Sequence, residues 1–120
     1  METIKTTTIL YRGVSYGFLE SPQFGLDPRM RFEELRQNLI GKTFVDKGYM
    51  STTHTPENHY CSTRLKIKAT PGTKAIWSGN DKEREVVLGR NQKFKVENVY
   101  RENPKDSWSR IIIEIRSVRK

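Results

Sequence analysis

The chain lacks the features that mark disulfide-rich, membrane-spanning or signal-bearing proteins. Its single cysteine, Cys61, cannot form an internal disulfide, so a small disulfide-stabilised scaffold is excluded. It has no run of about 18 apolar residues, and we therefore expect no membrane partner. Residues 1–5 lack the apolar segment of a signal peptide.

Runs of like charge are also absent, although the chain is strongly basic. The formal net charge is +8 and the isoelectric point is about 9.8. Without a run of about five like charges there is no basic arm, so we do not expect nucleic acid as the partner. Two interpretations of the charge stay open. The surface is either simply solvated, or it attracts a polyanion such as nucleic acid, anionic lipid or a phosphate-bearing cofactor.

The apolar residues that are present occur in short runs, which favours strands over long helices. The exception is 28–39, where Asp27 is a plausible N-cap, Pro28 suits the first helical position and Gly41 suits a helix stop. This order predicts one α+β domain over 1–120, with one early helix and about six or seven later strands in antiparallel sheets. The predicted strands are 6–12, 43–45, 49–53, 63–69, 74–77, 85–88, 93–100 and 108–118.

Three short motifs carry candidate chemistry. They are Tyr11-Arg12-Gly13 at the end of the first predicted strand, Tyr49-Met50-Ser51-Thr52-Thr53, and Glu83-Arg84-Glu85. Taken singly, each has an ordinary structural explanation: a surface ion pair, high strand propensity, and a solvated strand. Their order is more informative than any one of them.

In that order the motifs resemble the arginine–serine–glutamate branch of the mono-ADP-ribosyltransferases, which includes the binary actin-modifying toxins and the Rho-modifying exoenzymes. The resemblance covers roughly residues 8–118. It implies a split β-sandwich of antiparallel sheets, and it implies NAD as the substrate. It further implies release of nicotinamide and transfer of ADP-ribose to a protein acceptor in a host or competing cell, with arginine as the modified side chain.

The resemblance also implies a role for each matching residue. Glu85 would stabilise the positive charge that develops on the ribose, and Ser51 would orient Glu85. Arg12 would bind the phosphates of NAD. Glu83 would activate the arginine acceptor, since glutamate at this position goes with arginine modification in the family and glutamine with asparagine modification. Tyr60 and Arg64 are candidates for an NAD-packing aromatic and arginine, although their spacing differs from the family pattern by about one residue.

Several features depart from the family or leave alternatives open. Asn80 stands where the family often has an aromatic residue, and the nearest aromatic is Trp77. The helical segment that normally precedes the first strand is missing, so the domain is either minimal or excised from a longer chain. His54, His59 and Cys61 lack a suitably spaced fourth ligand, and no metal site is expected. The alternatives are an NAD glycohydrolase of the same fold and a non-catalytic module that binds NAD or nucleic acid.

Overall fold

The protein is described here from a computed structural model that covers residues 2–14, 18–19, 24, 26, 29–55, 61–77 and 85–118. Its helix, α1, spans Phe32–Leu39. The strands are β1 (Glu2–Thr3), β2 (Thr8–Val14), β3 (Thr43–Asp46), β4 (Met50–Thr53), β5 (Thr63–Ala69), β6 (Lys74–Trp77), β7 (Glu85–Leu88), β8 (Gln92–Arg101) and β9 (Ile111–Val118).

The strands hydrogen-bond in the order β1-β6-β7-β4-β2-β5-β9-β8-β3. The sheet is nearly divided between β4 and β2, which share one register pair, Tyr11 with Thr53. By contrast, β2 pairs with β5 along its whole length, from Thr8 to Val14. Within the described residues, this mostly antiparallel, divided sheet with one helix confirms the predicted fold class.

One strand pairing differs from the antiparallel prediction. β5 and β9 run parallel, with Thr63 opposite Ile111 and Lys68 opposite Arg116. Parallel neighbours need a long connection, and β6, β7 and β8 all lie between these two strands in the chain. The expected hairpin of β8 with β9 does form, with a bulge between Val96 and Asn98.

The core is apolar and rich in phenylalanine. Phe44 packs against both Phe24 and Phe94, with ring centroids 5.4 Å and 5.5 Å apart. Leu35 and Leu39 of α1 are buried in the same cluster. The helix is further held to β8 because the Arg36 Nε donates a hydrogen bond of 2.9 Å to the Val99 carbonyl. Among the described residues, no helix has the length and apolar character needed to cross a membrane.

The helix begins later than the sequence predicted. Its first residue is Phe32, and its N-cap is Arg31, which makes no side-chain capping bond. Asp27 and Pro28, the predicted start, lie outside the described residues. The predicted end is confirmed: Gly41 adopts a φ of +89°, the left-handed conformation that glycine enters without steric cost.

The strand boundaries agree closely with the sequence except at the two ends of the chain. β9 begins at Ile111 and not at 108, because Trp108 belongs to a turn in which its N–H bonds the Asp106 carboxylate. β1 was not predicted, since two residues are too few to show an alternating pattern. The remaining predicted strands all form, so the elements that carry the candidate site residues are present.

Candidate active site

Ser51 and Glu85 lie side by side on neighbouring strands. The register of β4 and β7 sets Thr53 opposite Glu85 and Ser51 opposite Val87. Because side chains alternate between faces, Ser51, Thr53 and Glu85 all project from the same face. The Ser51 hydroxyl donates a hydrogen bond to the Glu85 Oε2. Both side chains are half-buried, which keeps them reachable by a ligand.

The Arg12 guanidinium approaches Ser51 from β2, across the division between β2 and β4. Its Nη1 donates a hydrogen bond of 2.9 Å to the backbone carbonyl of Ser51. Arg12 is held on β2 by the long pairing with β5, where it lies opposite Leu65. Arg12 thus contacts the backbone of Ser51, and the Ser51 hydroxyl bonds Glu85, so three strands contribute to one chain of contacts between residues far apart in the sequence.

The two threonines that follow Ser51 do different things. Thr52 is buried, and its hydroxyl donates a hydrogen bond of 2.6 Å to the Val86 carbonyl on the neighbouring strand. Thr53 donates to the carbonyl of Thr55, at 2.7 Å. Neither hydroxyl bonds Glu85, so of these three residues Ser51 orients the carboxylate. The threonines serve to hold the strand and the turn after it.

Arg64, a second arginine predicted for the site, lies on β5 opposite Gly13. It is buried, with its Nη1 4.0 Å from Glu102. By the registers of β5, β2 and β4, its side chain projects from the face that Ser51 and Glu85 share. Its contact with NAD stays a prediction. Tyr60 and Glu83 lie outside the described residues.

An aromatic pair beside the site was not predicted. The His54 and Trp77 rings stack, with centroids 5.2 Å apart and planes 18° apart. Trp77 ends β6 opposite Val86, the residue next to Glu85. The sequence gave no signal for the pair because it depends on the cross-strand register. In the described parts of the chain, no group of three or more His, Cys, Asp or Glu side chains is placed to hold a metal ion.

Comparison with solved structures finds proteins of the same fold. The C3 exoenzyme of Clostridium limosum superposes with a TM-score of 0.78 at 24% identity, over 99% of this chain and 62% of that one. Plx2a, an ADP-ribosyltransferase toxin from Paenibacillus larvae, gives 0.76 at 19% identity, over 98% and 64%. C3stau2 from S. aureus, solved with NAD, gives 0.75 at 19% identity, over 99% and 65%. This chain thus spans less than two thirds of the length of these proteins.

A comparison with curated protein sequences finds no significant match. The family model for ADP-ribosyltransferase exoenzymes, however, matches residues 1–120, the whole of the sequence. The match includes all three motifs and the strands that bring Arg12, Ser51 and Glu85 together. The chain belongs to the ADP-ribosyltransferase exoenzyme family.

Proposed function

We propose that residues 1–120 form a catalytic domain that cleaves NAD between nicotinamide and ribose and transfers ADP-ribose to an arginine of a protein acceptor. The observation that carries the proposal is the continuous contact from Arg12 through Ser51 to Glu85. Family membership supports it. Two structures of similar fold were solved with the dinucleotide, C3stau2 with NAD and BECa of C. perfringens with NADH.

Glu85 supplies the charge that bond cleavage requires. As nicotinamide leaves, positive charge develops on the ribose, the same problem that glycosidases meet with a carboxylate. A carboxylate about 4 Å from that charge gains roughly 4 kcal/mol at an effective dielectric of about 20. The Ser51 hydroxyl holds the carboxylate in one orientation before the substrate arrives. A group fixed in advance spends no energy on reorientation during the reaction.

Arg12 has the chemistry to bind the diphosphate of NAD. A guanidinium is planar, stays charged at neutral pH, and can bond two phosphate oxygens at once. One of its N–H donors is used on the Ser51 carbonyl, which fixes the group beside the site. Arg64 is kept among the proposed NAD contacts, because the strand registers set it on the face that Ser51 and Glu85 share. Tyr60 remains a proposed contact on its position in the sequence.

The acceptor side of the proposal rests on Glu83 and the surface of β6. An arginine acceptor is protonated and needs a nearby carboxylate to orient it and to accept a proton as it attacks. Glu83 would serve in that role, two residues before Glu85. Ile76 and Trp77 are 45% and 49% exposed on the strand next to β7. This exposed apolar edge would meet an acceptor protein from a host or competing cell.

Labelled NAD distinguishes the proposed transfer from the alternatives. The protein is mixed with labelled NAD and a cell lysate, and the label is followed into protein and into free ADP-ribose. We expect labelled protein bands, and mass spectrometry should place the modification on arginine. Free ADP-ribose without labelled protein would instead identify an NAD glycohydrolase. No turnover of NAD would contradict the catalytic proposal.

The role of Glu83 has its own test. Glu83→Gln should keep NAD hydrolysis and weaken transfer to arginine, since an amide cannot accept the proton. Glu83→Asp, which keeps a carboxylate, is the matched control and should retain more of the transfer. Unchanged transfer to arginine in Glu83→Gln would show that this carboxylate does not activate the acceptor.

A further inference from the structure

A pocket lies beyond the Leu88 end of β7, at the other end of this strand from Glu85. β7 runs from Glu85 to Leu88, and the chain then turns through 89–91 into β8. This turn and the β5–β6 turn, 70–73, face a pocket of about 460 Å³. Pockets of this size are large enough to hold a small ligand. Nothing in the proposed transfer reaction uses it.

Among the described residues, the pocket is lined by three cations and by no acidic side chain. Lys74 comes from the start of β6, Arg90 from the β7–β8 turn, and Lys93 from β8. Within the described part of the chain, no carboxylate forms a salt bridge with any of the three. Positive charges that share one concave site without a counter-charge repel each other and attract anions.

Three neighbouring cations on the sheet, by contrast with those of the pocket, lie close to carboxylates. Lys68 and Arg116 both lie close to Glu97, at 3.9 Å and 3.8 Å. Lys66 is 3.7 Å from Glu114. These sheet cations thus have a carboxylate within 4 Å, whereas the described residues offer none to the three cations of the pocket.

The walls of the pocket are already ordered. Ser117 is buried against the β5–β6 turn, where its hydroxyl accepts a hydrogen bond of 2.9 Å from the Thr70 N–H and lies 2.6 Å from the Thr73 hydroxyl. The Arg90 guanidinium lies over the Tyr49 ring, 5.8 Å from its centroid. These contacts fix the β5–β6 turn and restrict Arg90. A ligand would lose little affinity to ordering the site.

We propose that this pocket binds a compact ligand with clustered phosphate groups, of the kind carried by polyphosphates, inositol polyphosphates and phosphoinositide headgroups. Three cations match several phosphate charges at one point, with Arg90 supplying a planar fork and the lysines point charges. Pro71 and Val118 are the largest apolar residues of the lining, which has no aromatic ring. Single-stranded nucleic acid, which is held by base stacking on aromatic side chains, is therefore disfavoured.

The test is binding of tripolyphosphate measured by calorimetry in the absence of NAD. Wild-type protein should bind, and Lys74→Gln/Lys93→Gln should bind at least about a hundredfold more weakly, since a hydrogen bond to a charged group contributes about tenfold or more. The charge-matched control, Lys66→Gln/Lys68→Gln, should bind within about threefold of wild type because those lysines lie outside the pocket. Equal weakening in both variants, or no binding by wild-type protein, would overturn the proposal.

Two further arms locate the ligand and identify its source. Saturating NAD should leave tripolyphosphate binding unchanged, whereas displacement by NAD would move the binding to the Arg12 site and overturn the proposal. Vesicles of phosphatidylcholine with phosphatidylinositol bisphosphate are compared with vesicles of phosphatidylcholine alone. Binding to the former that needs Lys74 and Lys93 indicates a lipid headgroup, and tripolyphosphate binding alone indicates a soluble ligand. Arg90→Gln, a single change in a turn, repeats the comparison if the double variant does not fold.

Discussion

Ser51 donates a hydrogen bond to the carboxylate of Glu85 although 34 residues separate them in the chain. The β4–β7 register makes this contact possible, because Ser51 is a diagonal neighbour of Glu85 on one face of the sheet. The charged group of the candidate site is thus oriented by a side chain that does not titrate at neutral pH. Such contacts, and the backbone conformation of one glycine, lead to four predictions, and a fifth concerns the Glu85 carboxylate.

Removing the Ser51 hydroxyl should slow cleavage of NAD without unfolding the protein. We expect Ser51→Ala to lower kcat for nicotinamide release by roughly tenfold to a hundredfold, the usual effect of losing a hydrogen bond to a charged group. Thr53→Ala is the matched control, since Thr53 lies on the same face but donates to Thr55. Equal losses in the two variants would contradict a specific role for Ser51.

Replacing Arg12 by lysine should weaken NAD binding while keeping the charge. A lysine cannot bond two phosphate oxygens in a fixed fork, so we expect KM for NAD to rise by about tenfold in Arg12→Lys, with a smaller change in kcat. Arg64→Lys provides the comparison, because Arg64 is the other arginine predicted from the sequence to contact NAD. Steady-state kinetics with NAD as the varied substrate decides the matter. A KM that rises only in Arg64→Lys would reverse our assignment.

Tyr100 should make folding stability depend on pH in the alkaline range. Burial and the nearby Glu114 carboxylate, which accepts a hydrogen bond from the Tyr100 hydroxyl, raise the pKa of Tyr100 above 10.0. The stabilisation from the neutral hydroxyl is therefore complete below the unfolded pKa and is lost as pH rises through the folded pKa. Tyr100→Phe should remove this part of the alkaline loss of stability.

Absorbance of tyrosinate during an alkaline titration reports the same group directly. Tyr100→Phe should remove a late component, one that ionises above the ordinary pKa of tyrosine. Tyr49→Phe, which removes a tyrosine that is 57% exposed, is the control and should leave that late component in place. A late component that survives Tyr100→Phe would show that another tyrosine is responsible.

The stability of the turn after α1 should depend on the backbone conformation of Gly41 and not on steric contacts of an added side chain. A Cβ at Gly41 would meet no atom within 4 Å, but φ is +89°. Gly41→Ala should therefore lower the free energy of unfolding by about 1–2 kcal/mol through backbone strain alone. Gly48→Ala is the control, since its Cβ would make only an ordinary contact of 3.7 Å. Chemical denaturation measures both, and equal stability of the two variants would rule out the strain.

The parts of the fold that could be predicted are those coded by local patterns. Runs of β-branched and apolar residues bounded by glycine located most of the strands, and the three motifs located Arg12, Ser51 and Glu85. The helix start was misplaced because Asp27 and Pro28 are strong local signals that do not cap the observed helix. Tertiary contacts, such as Arg36 with Val99, contribute more to the position of α1 than its N-terminal residues do.

The remaining features depend on long-range pairing, which a single sequence does not show. The parallel pairing of β5 with β9 follows from the sheet order. The cationic pocket is a clear case. The sequence shows no run of like charge at this pocket, because its cations come from separate segments that meet only after folding. They are Lys74, Arg90 and Lys93.

The central claim is that the Glu85 carboxylate drives cleavage of the nicotinamide–ribose bond, and release of nicotinamide from NAD by Glu85→Gln tests it most directly. The amide keeps the size of the side chain and can still accept a hydrogen bond from Ser51, so the fold should be retained. Losing about 4 kcal/mol of charge stabilisation should slow release by roughly a thousandfold. A folded Glu85→Gln protein that releases nicotinamide at the wild-type rate would contradict the account.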